Sequence, residues 1–291
     1  MFFKKQAQKL IGIDIGFSTI KMVEVSQEEK PKLIKWASVP CTENLKKDIK
    51  KCRKALKAST TDVSLCLSDP SLIVKELLLP FMAEKELLEN IRFELSEYFS
   101  DNFKEYEISC RYIKKPEAGT DLVSVLVAAA PLSVLRKHKD ILESAGLNVK
   151  HIDVSPNVLS KVLQRTTENK EAVCIMDIGT KAIDVSVYEN GNYFVHRTSI
   201  IEKDYDKNAI LSTLTQVLDY CRRKNSVLKD ASVLLIGTSP QLSNIDEYLS
   251  HKTNLSVKIA MPDMFSLVYD IPEYFPATLY FKALGAAIRE G

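Results

Sequence analysis

Two acidic residues stand where acids are uncommon. Asp14 ends the apolar run in "IGIDIGFSTIK" (11–21), and Asp177 ends the one in "CIMDIGTKAIDVSVY" (174–188). A plain hairpin needs turn residues, but it needs no carboxylate at the end of a buried strand. A polyphosphate and its metal ion do. The tip of a tight hairpin points backbone N–H groups outward, a cradle for phosphate oxygens, and Gly16 and Gly179 let a ligand approach without a Cβ in the way. Phosphate repels a bare carboxylate, so Asp14 and Asp177 make sense through Mg²⁺ or its bound waters. Candidate contacts are Asp14, Gly16, Phe17, Ser18, Thr19 and Lys21 in the first loop, and Asp177, Gly179, Thr180 and Lys181 in the second.

The elements around the two loops repeat as well. Residues 10–16, "TIKMVEVS" and "KLIKWASV" read as three strands, and three more open the second half, where Asn190-Gly191 marks a tight hairpin. The two acids lie 163 positions apart, too far for a solenoid period and suited to a duplicated domain. One Asp-x-Gly is an ordinary hairpin acid with a turn glycine; two copies, each opening a matching half, call for a shared cause.

Between the copies, Leu45, Ile49, Cys52 and Leu56 fall on one helical face, "DVSLCLS" alternates, and "LIVKELLLP" returns after "DPS". A helix follows with Leu87, Leu88, Ile91, Leu95 and Phe99 in register, then strands "YEISCRYI" and "LVSVLVAAA". Pro131 opens a helix that stops at Gly146, and after strand "NVKHIDV", Ser155-Pro156 has the N-cap and N1 chemistry of another. "TTENKE" (166–171) is the expected domain boundary. The second half continues with a helix near 207–223, strand "SVLLIG", a short helix, strand "SVKIA" and the closing helix "TLYFKALGAAIRE".

The 291 residues suffice for two domains, and 45% apolar with 27% charged residues describes a globular protein. A net charge of +2 gives no argument for nucleic acid. The longest apolar run, 122–132, falls far short of the roughly 20 residues that span a bilayer. The start "MFFKKQAQKL" lacks a signal core, and its apolar part is too short for a stable membrane anchor. Six scattered cysteines predict a reduced, cytoplasmic protein. "KKDIKKCRKALK" carries seven cations, read as the solvated face of a surface helix rather than a membrane patch. His138, His151, His196 and His251 are too isolated to build a zinc site.

With "IDIGFSTIK" and "MDIGTKAID" at its two phosphate positions, the chain resembles the actin-like ATPase superfamily. Within it, the chain resembles the PilM family of type IV pilus and type II secretion assembly proteins. The likeness is carried by "LLLPFMAEKELLENIRFELSEYF", "VLVAAAPLSVLRKHKDILESAGLNVKHIDVSPNVL", "LTQVLDYC" and "FKALGAAIRE". The resemblance implies an α/β, RNase H-like fold duplicated into two lobes. The first covers 1–165, with an α/β subdomain inserted at about 82–146 and the closing helix (275–291) packed back on it; the second, shortened, covers 171–274. It implies ATP and Mg²⁺ in the cleft, with Asp14 and Asp177 reaching the metal through water and Gly237 and Thr238 on the adenosine side. It implies a PilN-like inner-membrane protein whose cytoplasmic tail lies in a groove near the insert, and contacts with other platform or motor proteins. The protein would then be cytoplasmic, peripheral at the inner face of the membrane through its partner, with self-association an open alternative.

Departures from the family pattern point to binding rather than turnover. Lys181, Ala182 and Ile183 follow Thr180 where small or hydroxyl residues are usual, and Gly237 stands alone where a Gly-Gly pair is usual. "SIIEKDYDKN" replaces a second such pair. Asp153 stands where the family's linking helix begins and would orient an attacking water, but Ser155 holds a position often acidic there. An FtsA-like filament protein would carry an amphipathic helix beyond "REG", and a small-molecule kinase would need a catalytic acid and intact adenosine glycines.

Overall fold

The computed structural model describes residues 8–96, 103–113, 121–164, 172–201, 206–224, 231–238, 242–260 and 271–288. The expected boundary at 166–171, Phe99 and the initial "MFFKKQA" lie outside them. The first sheet uses β1 (Lys9–Ile15), β2 (Thr19–Ser26), β3 (Leu33–Pro40), β4 (Asp62–Leu67) and later β8 (Asn148–Val154). The second uses β9 (Ala172–Ile178), β10 (Ala182–Glu189), β11 (Asn192–Ile200), β12 (Ser232–Gly237) and β13 (Ser256–Ile259). Their strand orders are β3-β2-β1-β4-β8 and β11-β10-β9-β12-β13, one topology used twice. In each, two antiparallel ladders are followed by two parallel ones, so the acid-bearing strand is central and buried. This is the duplicated, two-lobed fold expected from the sequence.

The helices repeat too. α1 (Leu45–Leu56) precedes β4 as α5 (Lys207–Arg223) precedes β12, and α3 (Leu132–Ser144) precedes β8 as α6 (Ile245–Thr253) precedes β13. After the last strand of each lobe comes a linking helix, α4 (Ser155–Leu163) or α7 (Ala277–Ala287). These two pack together between the lobes, sharing one core with Val23 and Val25 of the first sheet and Ile175 and Ile236 of the second. α7 also lies along β1, β2 and β4. Ser155 is the first residue of α4 rather than its N-cap, which is Val154; the hydroxyl makes no capping bond.

A third sheet, β5-β7-β6, is built from β5 (Ile73–Pro80), β6 (Tyr106–Tyr112) and β7 (Leu122–Pro131), with α2 (Glu84–Glu94) on one face through Leu87 and Ile91. The sequence reading had "LIVKELLLP" return after the "DPS" turn, with no partner assigned, and started the insert near 82. Instead β5 pairs with β7, because Leu77 and Leu79 find their apolar partners under α2, so the small sheet begins at Ile73. It ends at Pro131, and α3 turns its apolar face to the first lobe through Val134, Leu135 and Leu142. α1 behaves as the surface helix predicted, burying Ile49, Cys52 and Leu56 and leaving most of its cations in solvent.

Candidate functional site

Strand alternation aims both acids the same way. On β1, Ile11 and Ile13 enter the first lobe's outer core, so Gly12 and Asp14 face α7. On β9, Cys174, Met176 and Ile178 enter the second lobe's outer core, so Asp177 shares the α7 face with Val173 and Ile175. The hairpins match down to their hydrogen bonds: Gly16 N–H donates to Thr19 O (3.1 Å) and Gly179 N–H to Ala182 O (2.9 Å). Those bonds close the turns and leave the N–H groups at the tips, on Phe17, Ser18, Thr180 and Lys181, for a ligand.

The copies differ one ladder step away. Asp14 lies opposite Lys21, but Asp177 lies opposite a second acid, Asp184. Lys21 Nζ is 3.1 Å from Asp14 Oδ2. The cation for Asp177 comes instead from α7: Lys282 Nζ is 2.7 Å from Asp177 Oδ2, 3.6 Å from Asp14 Oδ1, and donates to Ser68 Oγ at 3.4 Å. Burial would raise the Asp14 carboxyl, but the Lys21 and Lys282 ammonium groups outweigh it and hold it below the ordinary value. Burial would likewise lower Lys282; Asp14, Asp177 and Asp184 together push it well above the ordinary lysine value.

The residues fit a phosphate tail and do not fit a divalent ion between the acids. A cavity of about 230 Å³ separates the two loops, with Ser18, Thr19, Lys21, Gly179, Thr180 and Lys282 among its walls. The buried Thr180 Oγ1 has no hydrogen-bond partner, an orphan that a phosphate oxygen would satisfy. Between Asp14 and Asp177, however, stands the Lys282 ammonium, so the water-bridged Mg²⁺ expected from the sequence would have to displace a tethered, buried cation. Among the described residues, no group of three His, Cys, Asp or Glu side chains is arranged to hold a metal.

Other expected contacts divide. Phe17, at the mouth, is largely exposed and lines the cavity, but Lys181 points its side chain into solvent. Gly237 and Thr238 line it as well. Gly237 is required by its φ of +78° and by Ile178 O, which would lie 2.7 Å from any Cβ there. Thr238 turns inward, donating N–H (2.9 Å) and Oγ1–H (2.6 Å) to Ile178 O. Asp153 is not in the cleft. Its carboxylate accepts from Asn157 Nδ2 (2.9 Å) in the first turn of α4 and from Lys161 Nζ (2.7 Å) in the second, which holds it to that helix and away from the cavity between the two loops.

Sequence reasoning missed Lys282, although a lone cation within "TLYFKALGAAI" and an acid opposite an acid at Asp177–Asp184 were both signals. It also missed His196. That ring faces Ser186 Oγ (2.8 Å), Thr198 Oγ1 (3.2 Å) and Asp184 Oδ1 (3.8 Å), beside a second cavity of about 320 Å³ that adjoins the first at Phe17, Ser68 and Asp69. Burial lowers the His196 pKa, and Lys282 adds to the shift against the opposing pull of Asp184 and Asp177. A folded pKa below 6.5 means the unfolded chain binds more protons just below that pH. Stability should therefore be complete above 6.5 and fall as pH drops beneath it. Urea unfolding at pH 7.5 and 5.5 should show the loss, and His196→Gln should shrink it.

A family model described as "Type IV pilus assembly protein PilM" matches residues 12–213. Among solved structures, the chain is similar to one from the "PilM-PilN type IV pilus biogenesis complex", with 20% identity, a TM-score of 0.80, and 96% of this chain and 97% of that one covered. It is similar to the cytoplasmic domain of EpsL, an inner membrane component of the type II secretion system of Vibrio cholerae (13%, TM-score 0.53, 95% and 93% covered). It also resembles a Bacteroides thetaiotaomicron protein described as having an actin-like ATPase fold (12%, TM-score 0.51, 90% and 95% covered). At these identities the likenesses establish an actin-like fold.

Proposed function

Because the chain belongs to the family of the type IV pilus assembly protein PilM, we propose that it acts by binding, holding the cytoplasmic tail of a PilN-like inner-membrane protein. It would thereby sit at the inner face of the cytoplasmic membrane among other platform and motor proteins. Among the described residues no helix is long and apolar enough to cross a membrane, so attachment through a partner suits the chain.

The observation that carries this reading is a cavity of about 160 Å³ between the small sheet and the first lobe. Its walls include consecutive residues of β6, Ser109 to Arg111, and of β8, Ile152 to Val154. A sheet face offers every second residue; an edge offers successive ones. Both strands end their sheets, β6 pairing with β7 and β8 with β4, so each turns an edge toward the groove. An extended tail could add there as a strand, its alternate side chains meeting apolar walls such as Leu126 and Ala128. Ala128 is half-buried on the groove face of β7, so Ala128→Trp fills the groove without entering the core under α2. A PilN-like tail peptide should lose at least about tenfold in affinity by calorimetry, with thermal stability kept. Equal binding by the variant and the parent would remove the groove from the account.

A nucleotide reading rests on a separate observation, the orphaned Thr180 Oγ1 between two hairpin tips and two ammonium groups. ATP would place its phosphates on Gly16 to Thr19, Lys21, Gly179 and Thr180. Asp153 lies elsewhere, so binding without turnover is the expectation. Calorimetric titration with ATP should give a measurable affinity that Lys21→Ala weakens about tenfold or more, the worth of one charged hydrogen bond. Unchanged affinity would move the phosphates away from the first loop.

A further inference from the structure

We infer that Lys282 is the resident cation of the cleft, standing where an actin-like site would put its divalent ion and clamping the two lobes together without nucleotide or metal. Its ammonium touches one acid from each lobe, Asp177 at 2.7 Å and Asp14 at 3.6 Å, and it is carried by the helix packed between them. Among the described residues no second cation pairs with Asp177: its ladder partner is Asp184, and the first lobe's own cation, Lys21, is bound to Asp14 Oδ2. Two further carboxylates, Asp69 and Asp184, line the adjoining cavity. Asp184 adds to the field that raises Lys282, but among the described residues the carboxylates within ion-pair distance of its ammonium are Asp14 and Asp177. Asp14 and Asp177 are left to share it.

A mobile metal ion in that position would make closure depend on ligand supply. A covalently tethered ammonium makes it permanent. Its burial is favourable only because both carboxylates are present, since removing one partner of a buried ion pair leaves an uncompensated charge. The same logic runs in reverse: without the ammonium, two facing carboxylates form an anionic gap suited to a small divalent ion.

The test is thermal unfolding of the full chain and of Lys282→Met, each in EDTA and in excess Mg²⁺ or Mn²⁺ without nucleotide. The wild type should unfold at one temperature in all three. Lys282→Met should unfold about 5 °C or more lower in EDTA and regain part of the loss with either metal. If Lys282→Met does not fold in EDTA, Asp177→Asn with Lys282→Met should, because it removes the repulsion along with the cation. Metal-stabilised wild type, a Lys282→Met protein as stable as its parent, or one that neither metal restores would each overturn the assignment. The partner groove shares no lining residue with this cavity, so these results leave that reading to its own test.

Discussion

Gly12→Val is expected to cost about 3 kcal/mol or more, lowering the unfolding temperature by about 6–12 °C. Valine favours strands, so propensity alone predicts a gain at this position in β1. The loss comes from α7. A Cβ on Gly12 would run into the carbonyl oxygen of Ala283 and lie 2.8 Å from Ala287 Cβ and 2.9 Å from Ala287 N. Two of those three neighbours are helix backbone, which cannot rotate aside as a side chain can, so the whole helix must lift from the sheet. Lifting it also exposes the interlobe core of Tyr280, Phe281 and Leu284, and withdraws Lys282 from the two acids. Gly16→Ala is the control: its nearest neighbour is the flexible end of Lys21 at 3.1 Å, so it should cost far less. Matching urea midpoints for Gly12→Val and the wild type would mean that α7 does not seat on β1 as described.

That contact shows where sequence reasoning reached and where it stopped. Period-two alternation placed β1, β2, β9 and β10 correctly, and the repeated Asp-Ile-Gly led directly to a duplicated fold, because those signals are local. Asn190 and Gly191 both have positive φ, as their type and order required. The pairing of β5 was not legible: "LIVKELLLP" is apolar on both faces, so nothing in it chooses between β4 and β7, and only Leu87 and Ile91 of α2 decide. The site divided along the same line. Loop residues Gly16, Thr19, Gly179 and Thr180 line one cavity, and each pair could be read as a unit because its members lie together in sequence. Lys282 is 268 residues from Asp14 and His196 is 19 from Asp177, and only the packing of α7 and the pairing of β10 with β11 bring them in. Asp153 stands apart from that cavity for the opposite reason. Its place at the end of β8 was right, but the helix after it supplies Asn157 and Lys161, four and eight residues on, which draw the carboxylate toward α4.

Tyr188→Ala is expected to cost about 3–5 kcal/mol, the usual range for emptying a large aromatic site in a core. Tyr188 is fully buried on β10 and belongs to the core shared by both lobes. Its ring meets Tyr193 edge-on at 6.4 Å, and its hydroxyl donates to Pro156 O at 2.9 Å, in the first turn of α4. One side chain thus ties the second lobe's sheet to the helix that follows the first lobe's last strand. Removing the ring opens a cavity that neither sheet can close, because each is pinned by its own outer core. Tyr188→Phe separates the two contributions. It keeps the packing and removes the hydroxyl donated to Pro156 O, at a cost of about 1 kcal/mol. If the lobes were joined chiefly through the polypeptide and α7, the alanine variant would lose no more than the phenylalanine one. A urea series in which alanine costs at least 2 kcal/mol more than phenylalanine, roughly the difference between a cavity and one hydrogen bond, is the result that assigns the joint to this core.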